Sequence, residues 1–125
     1  MRNRYLALAL VGVVLLTACG GSGGDKTVEG QDVVVEMYDN RYQYTEVHIP
    51  VGGTVTFVGA GNNPHNAVDS DGGWSTEDVF GSLEQKKGDE ATLTYNTAGT
   101  FNFYCTFHGN PQGAGMAGVL IVGDG

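Results

Sequence analysis

The sequence predicts an all-β sandwich, and three observations predict it. Apolar and polar residues alternate with a period of two over short runs of roughly four to eight residues. No stretch carries a convincing helical period with caps. Glycine supplies 21 of the 125 residues, well above the usual ~7%, and in an all-β chain such glycines mark tight turns. Six or more short strands separated by turns argue for two packed sheets around one core.

The first stretch stands outside that sandwich. "MRNRY" is a short positive region, and "LALALVGVVLL" is an apolar run of 11 residues. A bilayer span needs about 20, so the run fits the core of a signal peptide instead. It ends in "LTAC". Leu16, Thr17, Ala18 and Cys19 resemble a bacterial lipoprotein signal, with cleavage before Cys19 and lipid attached to it. A plain signal peptide with an incidental Cys19 is the alternative. Arg2 and Arg4 are not adjacent, which favours general export over the twin-arginine route. Residues 1–18 are thus expected as signal peptide and 19–31 as lipidated cysteine and flexible linker. "GGSGG" gives that linker its flexibility, and Gly20 to Gln31 reach at most roughly 40 Å. The expected location is the extracytoplasmic side of a cell membrane, in a periplasm or on the outer surface.

Residues 32–125 are expected to fold. "DVVVEMYD" is a valine-rich strand. "TEVHIPV" alternates, with Val47, Ile49 and Val51 on one face and Glu46, His48 and Pro50 on the other. After a "GG" turn, "TVTFVG" sets Val55 and Phe57 on one face. The irregular section from Asp69 to Asp89 has room for a short helical turn near Ser75 to Val79, capped by Ser75. "ATLTYN" alternates Ala91, Leu93 and Tyr95 against Thr92 and Thr94. In "TFNFYC", Phe101, Phe103 and Cys105 point one way, and "AGVLIV" closes the sandwich.

Charge excludes one class of partner. Without residues 1–18 the chain keeps 4 Lys+Arg against 14 Asp+Glu, a surface that repels nucleic-acid phosphates. No nucleic acid is expected, and docking to a basic partner is compatible with the charge.

The cysteines point to chemistry. Lipidation would consume Cys19 and leave Cys105 alone, and an odd thiol in an exported chain suggests intermolecular pairing, a reactive thiol or a metal ligand. Alternation puts Cys105 on the buried face, where a free thiol is often just a small hydrophobe. Its neighbours argue otherwise. His108 and Met116 follow in "YCTFHGNPQGAGM", and His65 lies in "GNNPHNAV" just past another strand. A sandwich can bring these two loops together. One thiolate, two imidazoles and a weak thioether form the ligand set of a blue copper electron-transfer centre. Methionine is a poor zinc ligand.

From about Val33 onward the sequence resembles the cupredoxins, in particular the plastocyanin-like branch. The resemblance rests on "NNPHNAV", "AGTFNFYCTFHG" and "GAGMAGVLIV". It implies a Greek-key β-sandwich that carries single electrons on one type 1 Cu(I)/Cu(II) ion. Position by position it implies His65, Cys105, His108 and Met116 as copper ligands. Asn66 matches the residue that ties the two ligand loops and shields the sulfur, and Tyr104 the aromatic beside the cysteine that offers a second electron route. The resemblance also implies redox protein partners docking near His108. A monomer is expected. The His108-to-Met116 loop is longer than the plastocyanin pattern, with "GNP" as the insertion.

Other candidates have plainer readings. His48 is expected as a solvated histidine on an exposed strand face, Met37 as strand filler and Trp74 as a loop anchor over the core. Asp69, Asp71, Glu77 and Asp78 read as an acidic surface patch, because the full calcium-loop pattern is absent. The leading function is a membrane-anchored one-electron carrier, and the alternative is an extracytoplasmic copper-binding or delivery protein. No enzyme is expected. Multicopper chemistry needs further histidines, and only three are present.

Overall fold

The computed structural model describes residues 26–125. The expected signal peptide 1–18, the lipidated Cys19 and the linker as far as Asp25 lie outside the described residues. The described chain is an all-β sandwich with one short helix. Its elements are β1 (Thr27–Glu29), β2 (Asp32–Tyr38), β3 (Arg41–Tyr42), β4 (Glu46–Ile49), β5 (Gly53–Gly59), β6 (Val68–Asp69), α1 (Glu77–Phe80), β7 (Glu90–Tyr95), β8 (Gly99–Gly109) and β9 (Gly115–Val122).

Two sheets face each other. One has the order β1-β4-β9-β8-β6 and the other β3-β2-β5-β7. Register explains why the core forms. Val35 lies beside Phe57, which lies beside Ala91, and Val33 beside Val55, which lies beside Leu93. Period-two alternation thus stacks apolar side chains in rows across the second sheet. Val47, Ile49, Phe103, Leu120 and Val122 meet them from the first sheet, all buried. Each such side chain contributes about 1.5–3 kcal/mol when fully buried. Cys105 and Met116 belong to this same buried cluster, so the loops at one end are extensions of the core rather than appendages.

Aromatic rings fill the centre. Tyr42 meets Phe103 edge-on at 4.9 Å between centroids, and Trp74 stacks over Phe57 at 6.1 Å. Trp74 therefore anchors its loop over the core.

Three details depart from the sequence reading. The expected linker 19–31 is not all tether, because Thr27–Glu29 form β1 and pair in parallel with Glu46–His48. Parallel pairing to a distant strand uses backbone groups, which leave no local sequence pattern. Val51 is 51% exposed, because β4 ends at Ile49 and the chain turns through Pro50 to Gly53, where Gly53 N–H bonds Pro50 O. Asp69 is buried rather than part of a surface patch. Its carboxylate accepts from the backbone N–H groups of Asp71 and Gly73 at 3.1 and 3.0 Å, which closes the turn.

The helical turn forms slightly later than expected, and Ser75 still organises it. Its Oγ accepts from Glu77 N–H at 3.1 Å, and its own N–H donates to Asp78 Oδ2 at 2.9 Å. That reciprocal pair satisfies donors the first helical turn leaves open.

Candidate metal centre

Cys105 and His108 both lie on β8, three positions apart. In a regular strand their side chains would point to opposite faces. The β8–β9 ladder runs to Tyr104 opposite Ala117 and resumes only at Gly109 opposite Gly115. Four residues of β8, Cys105 to His108, therefore face one residue of β9, Met116. This bulge bows the strand outward and re-aims its side chains. Cys105 Sγ and His108 Nδ1 end 3.8 Å apart.

The longer loop resolves into a hairpin tip. Asn110 N–H donates to Ala114 O and Gly113 N–H to Asn110 O, at 3.1 Å each. Asn110 Oδ1 accepts from Gln112 and Ala114 N–H groups. The Gly109–Gly115 pair closes the tip. Gly115 has φ +72°, and a Cβ there would collide with His108 O, so only glycine fits. Residues 110–114 project beyond this pair, while Met116 stays on β9, opposite the bulge, and is 1% exposed.

His65 comes from the loop between β5 and β6. Its N–H and C=O both pair with Gln85, at 3.0 and 3.1 Å, and Thr76 and Ala67 pair just beyond. The buried Thr76 hydroxyl also accepts from Ala67 N–H at 3.2 Å. The loop is thus stitched to the segment around α1. His65 Nδ1 lies 3.9 Å from Cys105 Sγ, and the two imidazole centroids are 4.9 Å apart. His65 and Cys105 are both 0% exposed, whereas His108 is half-buried.

Asn66 joins the two ligand-bearing loops. Its Oδ1 accepts from Thr106 N–H at 2.9 Å, and its Nδ2 donates to Thr106 Oγ1 at 2.7 Å and Leu83 O at 3.0 Å. The Tyr42 hydroxyl donates to Asn66 O at 2.6 Å. Burial, with a smaller contribution from Cys105 nearby, pushes that hydroxyl well above its ordinary range, so Tyr42 remains a donor. Tyr104, next to Cys105, is half-buried between Val68 and Ala117.

The donor set fits copper. One donor atom each from His65, Cys105 and His108 lies within 4.8 Å of the others, and among the described residues no other such metal-holding group occurs. Bonds of about 2.1 Å to imidazole and 2.3 Å to thiolate at trigonal angles would leave roughly 3.8 Å between nitrogen and sulfur. The two nitrogen–sulfur separations are 3.9 and 3.8 Å. A soft thiolate with two imidazoles and a buried thioether opposite suits copper better than zinc.

The sequence reading missed Asp39. This residue follows β2, and its Oδ1 lies 3.0 Å from His65 Nε2. Its carboxylate also accepts from Asn63 and Asn62 N–H groups at 3.0 Å each. Those two backbone bonds, and then the His65 bond, hold its pKa at about 2. The only trace in the sequence is "YDN" at a strand end, which any turn would produce. His48, by contrast, lies far from this cluster and pairs with Glu46 Oε2 at 2.9 Å.

The model of the plastocyanin/azurin family of copper-binding proteins matches residues 31–123. A chloroplastic plastocyanin from Physcomitrium patens is 35% identical over 93% of this chain and 71% of its own length. Amicyanin from Paracoccus denitrificans is 34% identical over 61% of this chain and 57% of its own. A solved structure of a reduced amicyanin mutant superposes with a TM-score of 0.56 at 31% identity, covering 73% of this chain and 81% of that one.

Proposed function

We propose that this chain, which belongs to the plastocyanin/azurin family of copper-binding proteins, carries single electrons between redox proteins outside the cytoplasm. The observation that carries the reading is the convergence of His65 Nδ1, Cys105 Sγ and His108 Nδ1 opposite Met116. In this reading His65, Cys105, His108 and Met116 hold the copper. Copper held there would supply the Cu(I)/Cu(II) couple, and one thiolate, two imidazoles and a weak thioether would suit both states.

The protein's part is to keep those donors in place. Asn66 ties Thr106 to the loop of His65, so the thiolate and the buried imidazole move as one unit. The core seals Cys105 and His65 from water, and Cys105 has a buried strand-end position rather than an accessible one. Sealed donors favour retention of the metal, which supports electron carriage over copper delivery. His108 is the exception. It lies half-buried beside Phe107, which is 46% exposed, in a shallow depression also lined by Gly109, Asn110, Ala114 and Gly115. A partner docking there approaches the imidazole edge across small residues, and Tyr104 offers a second way out beside Cys105.

Tethering completes the proposal. The lipoprotein-like "LTAC" after an apolar core supports a lipid on Cys19 and a place on the outer side of a membrane. Cys19→Ser should release the protein from the membrane fraction into the soluble one.

A redox titration tests carriage against delivery. A carrier cycles reversibly with copper retained in both states. Ready loss of Cu(I) to a modest chelator would favour delivery instead.

A further inference from the structure

We propose that Asp39 is a positioning residue for the metal centre: its carboxylate holds His65 with Nε2 protonated and Nδ1 free, and its charge favours the oxidised metal. This rests on His65 being a copper ligand through Nδ1.

The contact is built, not incidental. The Asp39 and His65 side chains come from separate loops, 26 positions apart in sequence, and meet at 3.0 Å. Asp39 follows β2, where the chain turns through Asn40 with φ 68°. Asn62 and Asn63 N–H groups, from the loop that carries His65, donate to Oδ2 and Oδ1 and fix both carboxylate oxygens. Gly61 makes the approach possible, because a Cβ there would collide with Asp39 Oδ1. The receiving loop itself is held by Ala60 and Gly61 N–H groups bonding Met37 O, at 2.9 and 3.0 Å.

The chemistry follows from that geometry. Both Asp39 oxygens already accept backbone N–H bonds, so the carboxylate meets His65 as an acceptor and the ring nitrogen facing it carries the hydrogen. Neutral imidazole has one N–H, so Nδ1, which faces Cys105 Sγ, keeps its lone pair. A carboxylate on the far nitrogen also raises the basicity of the ligand. The more highly charged metal state gains more from a more basic donor and from a nearby negative charge. The reduction potential should therefore be lower with Asp39 than without it.

The test uses the wild-type protein, Asp39→Asn and Asp39→Ala. In the copper-free wild type at mildly alkaline pH, ¹⁵N NMR should find His65 protonated at Nε2 alone, and Asp39→Ala should give mixed tautomers. Both variants should keep the blue absorption. In both, the ratio of Cu(II) to Cu(I) affinity should fall by about tenfold, which raises the potential by about 59 mV. A wild-type His65 protonated at Nδ1 overturns the proposal, and that readout needs no variant to fold. Potentials unchanged to within about twofold in that ratio, with only the melting temperature lowered, would make Asp39 a mere loop brace and also overturn it. Absence of a blue centre in the wild type would instead sink the ligand reading, while the NMR result would still stand on its own.

Discussion

His65 and His108 offer the same ring nitrogen to the same sulfur, at 3.9 and 3.8 Å, from opposite settings. His65 is fully buried, its backbone paired on both sides with Gln85 and its far nitrogen held by Asp39. His108 is half-buried on a bulged strand beside an exposed Phe107 and a projecting hairpin tip. One histidine is fixed by everything around it. The other is the edge of the site that meets solvent. In the proposed carrier this difference would divide the labour: the buried loop would set geometry and retain metal, and the exposed loop would be where the electron leaves.

The sharpest way to break this comparison is to remove each ring in turn. His65→Ala in the copper-free protein opens a cavity and strips Asp39 of one of its three donors. Urea unfolding should show a loss of about 2–4 kcal/mol. His108→Ala should cost under about 0.5 kcal/mol, as a surface change does. Similar losses at the two positions would erase the distinction.

The link between the two loops comes next. Asn66→Ala leaves the part-buried bonds to Thr106 N–H and Leu83 O unmade. Denaturant unfolding should report about 1–3 kcal/mol of lost stability, with a shifted or broadened charge-transfer band in the copper form. A spectrum identical to wild type would mean that the loops hold their spacing without Asn66.

The exposed side is sharpened by charge. Phe107→Glu adds a like charge to an already acidic molecule at the proposed docking surface. Electron self-exchange, measured by NMR line broadening in mixed oxidation states, should slow by about tenfold with the spectrum unchanged. An unaltered rate would move the exit away from His108.

The smallest effect lies at the other end of the sandwich. The hydrogen bond from His48 holds the Glu46 carboxyl below its ordinary value. A depressed folded pKa stabilises above the ordinary glutamate range, and the gain is lost as pH falls through the folded value. His48→Ala should return the Glu46 titration, followed by ¹³C NMR, to the ordinary range. Copper affinity and spectrum should not change.

The strands and the chemistry-bearing residues were legible because they are local signals. Alternation puts Val55 and Phe57, or Leu93 and Tyr95, on one face, and thiol, imidazole and thioether declare their chemistry by type. What escaped depends on the chain meeting itself. Asp39 reaches His65 only through a turn, a glycine without a Cβ and two backbone donors. β1 pairs by backbone alone under a stretch that reads as tether. Val51 continues an alternation that Pro50 has already ended. The "GNP" insertion lengthens the loop before Met116, and the Gly109–Gly115 pair places Asn110 and Pro111 in a hairpin tip, a fact of register that composition does not carry.

The measurement that tests the central claim most directly is the absorption spectrum of the copper-loaded protein beside that of Cys105→Ser. An intense blue charge-transfer band in the wild type, absent in the variant, is the predicted result, since only a thiolate bound to Cu(II) supplies it. A pale Cu(II) form of the wild type, or a blue band that survives in Cys105→Ser, would contradict the account.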